Sequence, residues 1–340
     1  MKNYTLKKLG MLTAVAVLLA GGCKKDDDND NDGFSGNGVF VICEGAFQQG
    51  NGRLDFYNTE TNTLFTNIYQ TANELPLGDV FQSMSIIDGK AYLVVNNSGK
   101  IEVVNASDVK STGTITGFTS PRYLCLTGTN KAYVSDLFSG AVSIVNTQNL
   151  TITGSIPLSG WTEEMLLDNG NVWITNANST YTFIAQNDAV VDSVNVGYGS
   201  SSIRKDNGGK IWILTGGNYL DNTASKLVKL DASTKAIEWD YELNTYGASK
   251  LRMNAEKTFA YFLFNGKVYR KNTADSSNPE EFISISGKSF YGIGVNPANG
   301  DIWLGDAGDF SSAGTVYVYS AAGAQLSTFT TGIAPTDFVF

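Results

Sequence analysis

The stretch Gly38–Asn58, GVFVICEGAFQQGNGRLDFYN, holds two apolar runs, Val39–Ile42 and Leu54–Tyr57, on either side of a loop rich in Gly and Gln. Short runs of β-branched and aromatic residues bounded by Gly and Asn predict strand, loop, strand. The loop itself carries Glu44, Phe47, Gln48 and Asn51.

Working outward, the first apolar run has six echoes, each marked by one aromatic: Phe40, Tyr92, Tyr133, Trp173, Trp212, Tyr261 and Trp303. The gaps between them are 52, 41, 40, 39, 49 and 42 residues, the period of a four-stranded propeller blade. A second mark follows each aromatic, a small residue and then alternating apolar positions, as in Gly52-Arg53-Leu54, Gly99-Lys100-Ile101, Gly140-Ala141-Val142 and Gly314-Thr315-Val316. Before the aromatics stand hairpin dipeptides such as Asp88-Gly89, Asn169-Gly170 and Asn299-Gly300. Each unit therefore reads as a meander of strands A, B, C and D with A innermost. The first unit lacks strand A, because Val39–Ile42 is already a B strand. Thr336–Phe340 has the pattern of the other A strands, and its pairing with Val39–Ile42 would close the ring and remove an exposed edge. The fold class expected is all-β: one seven-bladed propeller over residues 38–340, with four antiparallel strands per blade.

Composition agrees. Gly 36 against Pro 6, with 42% hydrophobic residues, suits many strands joined by tight turns around a large core. No long amphipathic helical pattern is read after the N-terminal segment. Lys and Arg total 24 against 33 acidic residues, a net charge of -9 with no basic stripe, which argues against a nucleic-acid partner. Histidine is absent, which removes the commonest general base and transition-metal ligand. Cys43 and Cys125 sit in apolar runs of different units and read as two buried thiols.

The N-terminus reads as targeting sequence. Lys2, Lys7 and Lys8 precede the apolar segment Leu9–Ala20, too short for a comfortable membrane span, so residues 1–22 are expected to be a secretion signal. Leu19-Ala20-Gly21-Gly22-Cys23 resembles a bacterial lipobox, which implies lipidation of Cys23 and anchoring to a membrane. Residues 23–37, which open Cys23-Lys24-Lys25-Asp26-Asp27-Asp28, are expected to be an acidic tether. Asp28–Gly33 matches half of a calcium loop, but the twelfth position is Val39 where a bidentate Glu is needed, so no metal is expected there.

A ligand is expected on the face that carries the D-to-A connections and the B-to-C loops. From the B aromatic to the C-strand mark the spacing is 12, 7, 7, 7, 13, 5 and 11 residues, so blades one, five and seven carry the long loops. These hold aromatics off the strand positions, Phe47, Tyr219 and Phe310, joined by Phe138. Amides and carboxylates alternate with them: Glu44, Gln48, Asn51, Asn96, Asn97, Asp136, Asn176, Asn218, Asp306 and Asp309. The beginnings of the A strands add Gln82, Arg122, Tyr123, Trp161, Glu163, Glu164, Lys250, Tyr291 and Asp337 at the channel mouth. Aromatic plates among amides suit a large polar ligand with flat faces. Trp173, Trp212 and Trp303 recur at the repeat position and are assigned to the blade core.

The run Val39–Phe47, followed by Gly50-Asn51-Gly52-Arg53-Leu54-Asp55-Phe56-Tyr57, resembles the opening "NEGNFG…NGSLSFYD" of surface-exposed, YncE-like propeller lipoproteins of Bacteroidota, among them the cobalamin-capturing, BtuG-type family. Cys43, Ala46 and Arg53 depart from that pattern. The acidic residues after Cys23 resemble the family's export signal to the outer face of the outer membrane. The resemblance implies binding without catalysis or a catalytic cofactor: capture of cobalamin or a related corrinoid, and its delivery to a BtuB-like, TonB-dependent outer-membrane transporter. With no imidazole to offer cobalt, the chain would hold the corrinoid through amides and aromatic surface. Two alternatives stand beside this one. A glycan- or protein-binding propeller on another transporter would use the same aromatic plates. A metal-dependent hydrolase or lactonase would need carboxylates converging on the channel, for which Glu163, Glu164 and Asp337 are the candidates.

Overall fold

A computed structural model describes residues 37–340. The leader, Cys23, the tether residues before 37 and the half calcium loop lie outside the described residues. The chain forms seven four-stranded antiparallel sheets, as the repeat predicts. Blades two to seven are consecutive meanders, opening with the innermost strands Phe81–Ile87, Pro121–Gly128, Thr162–Asp168, Ser200–Lys205, Ser249–Met253 and Phe290–Val295. Blade one takes its innermost strand from the C-terminus: Pro335–Val339 pairs with Gly38–Cys43, in the register Phe40↔Val339, Val41↔Phe338 and Ile42↔Asp337.

The seven aromatics of the repeat explain the spacing between blades. Strand B of a blade is covered on both faces, so nearly all its residues are buried, and successive side chains pack on opposite neighbours. Tyr92 joins the cluster between blades two and three, Tyr133 that between three and four, and Trp173 that between four and five. Trp212, Tyr261, Trp303 and Phe40 continue the series around the ring, each facing the following blade. One apolar cluster thus fills each interface, and a fixed residue type at a fixed position sets the stagger. Trp173, Trp212 and Trp303 are buried core residues.

The hairpins use the chemistry their dipeptides predict. Asp88-Gly89 and Asn169-Gly170 both have positive φ at the two central positions, as a type I′ turn demands. Cys43 is buried and Cys125 half-buried, and both are free thiols.

One element was not anticipated. Strand D of blade one is only Thr63–Phe65, and a six-residue helix, Ile68–Asn73, follows it. Ile68 and Tyr69 bury against Phe40 and Phe56, while Asn73 donates to the Val109 carbonyl and accepts from Ser111 N–H, 2.9 and 2.8 Å. This insertion and the long loop of residues 44–52 together account for the long first repeat of 52 residues. A helix of less than two turns leaves too short a pattern to register as an amphipathic period.

Candidate functional site

The site is built from one device repeated seven times. At its first residues every innermost strand slips by one residue against strand B, a β-bulge in each blade. A bulge breaks the alternation and re-aims a side chain. Gln82, Arg122, Tyr123, Glu163, Glu164, Lys250, Tyr291 and Thr336 all lie in these bulged segments. Lys250 has left-handed backbone, φ 60°, a strain that the closed ring sustains.

These groups knit together across the channel. Arg122 donates to Gln82 of the preceding blade and to Glu163 of the following one, the latter at 3.0 Å. Gln82 also contacts the Tyr123 hydroxyl at 3.4 Å. Glu164 accepts from Arg204 and from Arg252, at 2.5 and 3.0 Å, and Arg252 also donates to Asp337 at 2.9 Å. Lys250 donates to Thr336 at 3.0 Å and lies 5.8 Å from the Tyr291 ring centre, whose hydroxyl donates to Glu44 at 2.8 Å. Four cations, Arg122, Arg204, Lys250 and Arg252, stand among four carboxylates, Glu44, Glu163, Glu164 and Asp337. A cavity of about 220 Å³ between Tyr123, Glu164, Arg204, Arg252 and Asp337 marks the channel centre.

The electrostatics follow from burial and pairing. Burial pushes the Glu164 and Asp337 carboxyls up, but the guanidiniums of Arg204 and Arg252 beside Glu164, and Arg252 with Lys250 beside Asp337, outweigh it and hold both below the usual carboxylate range. At Glu163 burial wins over the pull of Arg122, so its carboxyl titrates above the usual range. Burial likewise lowers the Lys250 ammonium despite Asp337 and Glu44, and raises the Tyr123 and Tyr291 phenols. Both phenols stay protonated donors at neutral pH. Glu163, Glu164 and Asp337 each hold an arginine, and no group of three or more acidic or cysteine side chains that could hold a metal occurs among the described residues.

Above this floor the long loops are those of blades one, five and seven, residues 44–52, 216–225 and 307–312. Their aromatics are out in solvent: Phe47 is 65% exposed and Tyr219 71% exposed, with Phe310 also exposed. Three edge-on pairs form. Phe138 meets Trp161 at 6.2 Å, Tyr219 meets Tyr246 at 6.4 Å, and Phe310 meets Tyr291 at 5.0 Å.

The amides and carboxylates do not share the aromatics' role. Asn176 is fully buried: its side-chain oxygen accepts from Trp161 and Asn178 N–H, and its amide donates to the Ser159 carbonyl. Asp136 is buried too and accepts from four backbone N–H groups, those of Thr119, Ser120, Phe138 and Ser139. Asp306, Asp309 and Asn218 cap their own loops in the same way, and Asn96 is buried. Asn51 accepts from Ala46 N–H at 2.8 Å, and Asn97 donates to Asp79. Short side chains with an acceptor oxygen satisfy loop N–H groups before they meet a ligand. The exposed aromatics, with the Gln48 side chain, are what remains for recognition.

Four contributors escaped the sequence reading. Asp79, buried, accepts from Gln48 N–H at 2.9 Å and Asn97, and so pins the blade-one loop to the next blade. Tyr246 lies in the D-to-A connection after blade five, where an aromatic away from strand positions was the available signal. Arg204 and Arg252 stand at the same place on neighbouring A strands, each following a buried aliphatic, Ile203 and Leu251.

Among solved structures, a quinonprotein alcohol dehydrogenase-like protein from Bacteroides thetaiotaomicron superposes with TM-score 0.71 at 17% identity, over 89% of this chain and 78% of that one. A protein from Lactobacillus plantarum gives 0.65 at 12% identity, over 88% and 98%. Hydrazine synthase of Kuenenia stuttgartiensis gives 0.62 at 13%, over 73% and 85%. At these identities the likeness is one of fold. No curated protein matches the chain. A family model does: residues 37–331 match the domain of unknown function DUF5074, and the chain belongs to that family.

Proposed function

We propose that this propeller is a binding protein of the cell surface that captures a large polar ligand with flat faces on the rim of blades one, three, five and seven. The observation that carries this reading is the set of solvent-exposed aromatics on the long loops of one face, above a channel floor whose charges are already paired. A floor with balanced charge and satisfied donors resists penetration, so a ligand is held at the rim by stacking and by the few unspent polar groups. Within that class we propose cobalamin or a related corrinoid. The support is the Gly38–Asn58 opening, which resembles the corrinoid-capturing propellers, together with the exposed rim aromatics, whose flat faces would stack on a macrocycle. Lipidation at Cys23, display on the outer face of the outer membrane and delivery to a TonB-dependent transporter belong to the same proposal.

The test is calorimetric titration of the purified protein with cyanocobalamin and with cobinamide, paired with co-elution of the red ligand on gel filtration. Binding by wild type, weakened about tenfold by Phe47→Ala or Tyr219→Ala, is the expected result, since one aromatic anchor contributes about 1–2 kcal/mol. No heat and no co-elution at micromolar concentrations overturns the corrinoid reading. Binding of the same rim to glycans, lost in the same variants, would favour the glycan reading, because aromatic plates serve sugar faces as well.

A further inference from the structure

At the end of the propeller opposite the rim, two neighbouring blade interfaces treat the same pair of donors differently. Strand B of blade three opens with Lys131 and Tyr133, and the C-to-D turn of blade four seats the Asp188 carboxylate on both. The ammonium donates to it at 2.7 Å and the phenol at 2.6 Å. These two donors hold the Asp188 carboxyl below the usual carboxylate range. Blade two repeats the donors as Lys90 and Tyr92. The facing turn of blade three carries Gln148 at the place of Asp188, each standing two residues past the end of its strand C. Where the carboxylate would sit, a cavity of about 400 Å³ opens, lined by Lys90, Tyr92, Gln148 and Asp88, with Ile87 and Leu126 as its apolar wall. Tyr92 is buried, yet its hydroxyl reaches only the Thr147 carbonyl, at 3.5 Å, the far limit of a hydrogen bond. Burial pushes this phenol up, so it stays a donor. Neither Lys90 nor Asp88 has a side-chain hydrogen bond or an ion pair among the described residues. The C-to-D turn of blade two, which bonds to Gly89 through Ala106 N–H, adds Asp108 and Lys110, which are opposite in sign and do not line the cavity. The cavity thus offers one free cation, one free anion, a buried hydroxyl and an aliphatic wall, in a volume suited to a small ligand.

We propose that the cavity between blades two and three binds a free aliphatic α-amino acid, whose carboxylate takes between Lys90 and the Tyr92 hydroxyl the place that Asp188 takes one interface on. Its ammonium meets Asp88, and its side chain lies on Ile87 and Leu126. This site is separate from the rim and independent of what the rim captures.

The experiment uses the full chain and three probes of one shape, titrated by ligand-observed NMR up to millimolar concentrations: L-leucine, 4-methylpentanoate, which lacks the ammonium, and 3-methylbutylamine, which lacks the carboxylate. Leucine binds about fivefold or more tightly than either analogue, the ratio that one half-exposed charge contact supports. Lys90→Met weakens leucine by about the same factor, and Tyr92→Phe, which keeps the packing and removes one hydrogen bond to a charged group, by about tenfold. Gln148→Glu restores a carboxylate at the place of Asp188, fills the site from within and abolishes binding. Phe47→Ala, at the other face, leaves it unchanged. Equal binding of leucine and either analogue, leucine binding untouched by both Tyr92→Phe and Gln148→Glu, or no leucine binding at millimolar concentrations overturns the proposal.

Discussion

Glu164 sits nearly buried between two guanidiniums, and Asp337 shares one of them. Removing one member of such a set costs more than the set contributes, because an uncompensated charge stays in a poorly solvated place. Arg252→Met should therefore lower unfolding free energy by about 3 kcal/mol, read by denaturant melts. The pH dependence has a definite sign. Glu164 and Asp337 are held below their ordinary values of 4.5 and 3.8, so they add stability that is complete above those values and is lost as pH falls through the depressed range. Glu163 lies above its ordinary 4.5 and works the other way, withdrawing stability as pH rises through that interval. Asp337→Asn should flatten the acid limb of a stability profile between about pH 5 and pH 2, and Glu163→Gln should steepen it. Thermal melts across that range decide the matter; parallel limbs for wild type and Asp337→Asn would remove Asp337 from the account. These carboxylates, with Arg122 and Lys250, were legible in sequence as channel candidates, but the two guanidiniums around Glu164 were not. Arg204 and Arg252 stand 40 and 88 residues from Glu164, and only the closed ring brings them beside it.

Single elements carry a second layer that periodicity hides. Seven strands each take in one extra residue at the same end, which a period-2 pattern cannot register because alternation resumes on either side of the slip. The turn-forming Asn and Asp residues were legible as a class. Their assignment to the ligand was not safe, since the same oxygen that could meet a ligand also caps its own loop, and at Asn176 and Asp136 the loop takes it. Strand C of blade six adds a residue whose role no pattern announces. Lys271 is fully buried at the interface of blades five and six, 5.1 Å from the Trp239 ring centre and 6.0 Å from that of Trp212. Its ammonium donates to the carbonyls of Asn272 and Asp275 and to the Asp275 carboxylate, closing the 272–275 turn. The aromatic faces and the carbonyls together replace the water it loses. Lys271→Met keeps the stem but leaves those carbonyls without their donor, and a loss of about 2 kcal/mol is expected. A thermal midpoint lowered by several degrees, with the rim's ligand binding unchanged, is the outcome to look for; an unchanged midpoint would mean that water replaces the ammonium fully.

At the scale of the whole molecule, the ring is a chain closed on itself, and the closure has a steric lock. Pro335 enters the last blade through a slot made by three glycines: a Cβ on Gly305 would lie 2.2 Å from the Pro335 oxygen, one on Gly292 2.6 Å from the same oxygen, and one on Gly314 2.3 Å from Pro335 Cδ. Beyond the slot, Phe338 packs 5.9 Å from Trp303, and Asp337 meets Arg252 of blade six. The closing strand was readable from its likeness to the other A strands, whereas the slot was not, since glycines in strands equally mark bulges or weak pairing. Because a ring without its last strand exposes the long apolar edge Val39–Cys43, stability should depend on closure far more than on any one blade edge. Gly305→Ala tests this with a single methyl group. It meets backbone rather than a flexible side chain, so relief requires Pro335 to move and the Asp337–Arg252 pair to stretch with it. The expected loss is about 3 kcal/mol, at the upper end of ordinary overpacking, with growing aggregation on gel filtration as the edge opens. Gly128→Ala, at the far end of an innermost strand where a new Cβ meets nothing within 4 Å, serves as the control and should leave the melt where it is. Equal melts for the two variants would mean that blade one holds its edge without the slot, and that the C-terminal strand decorates the ring instead of closing it.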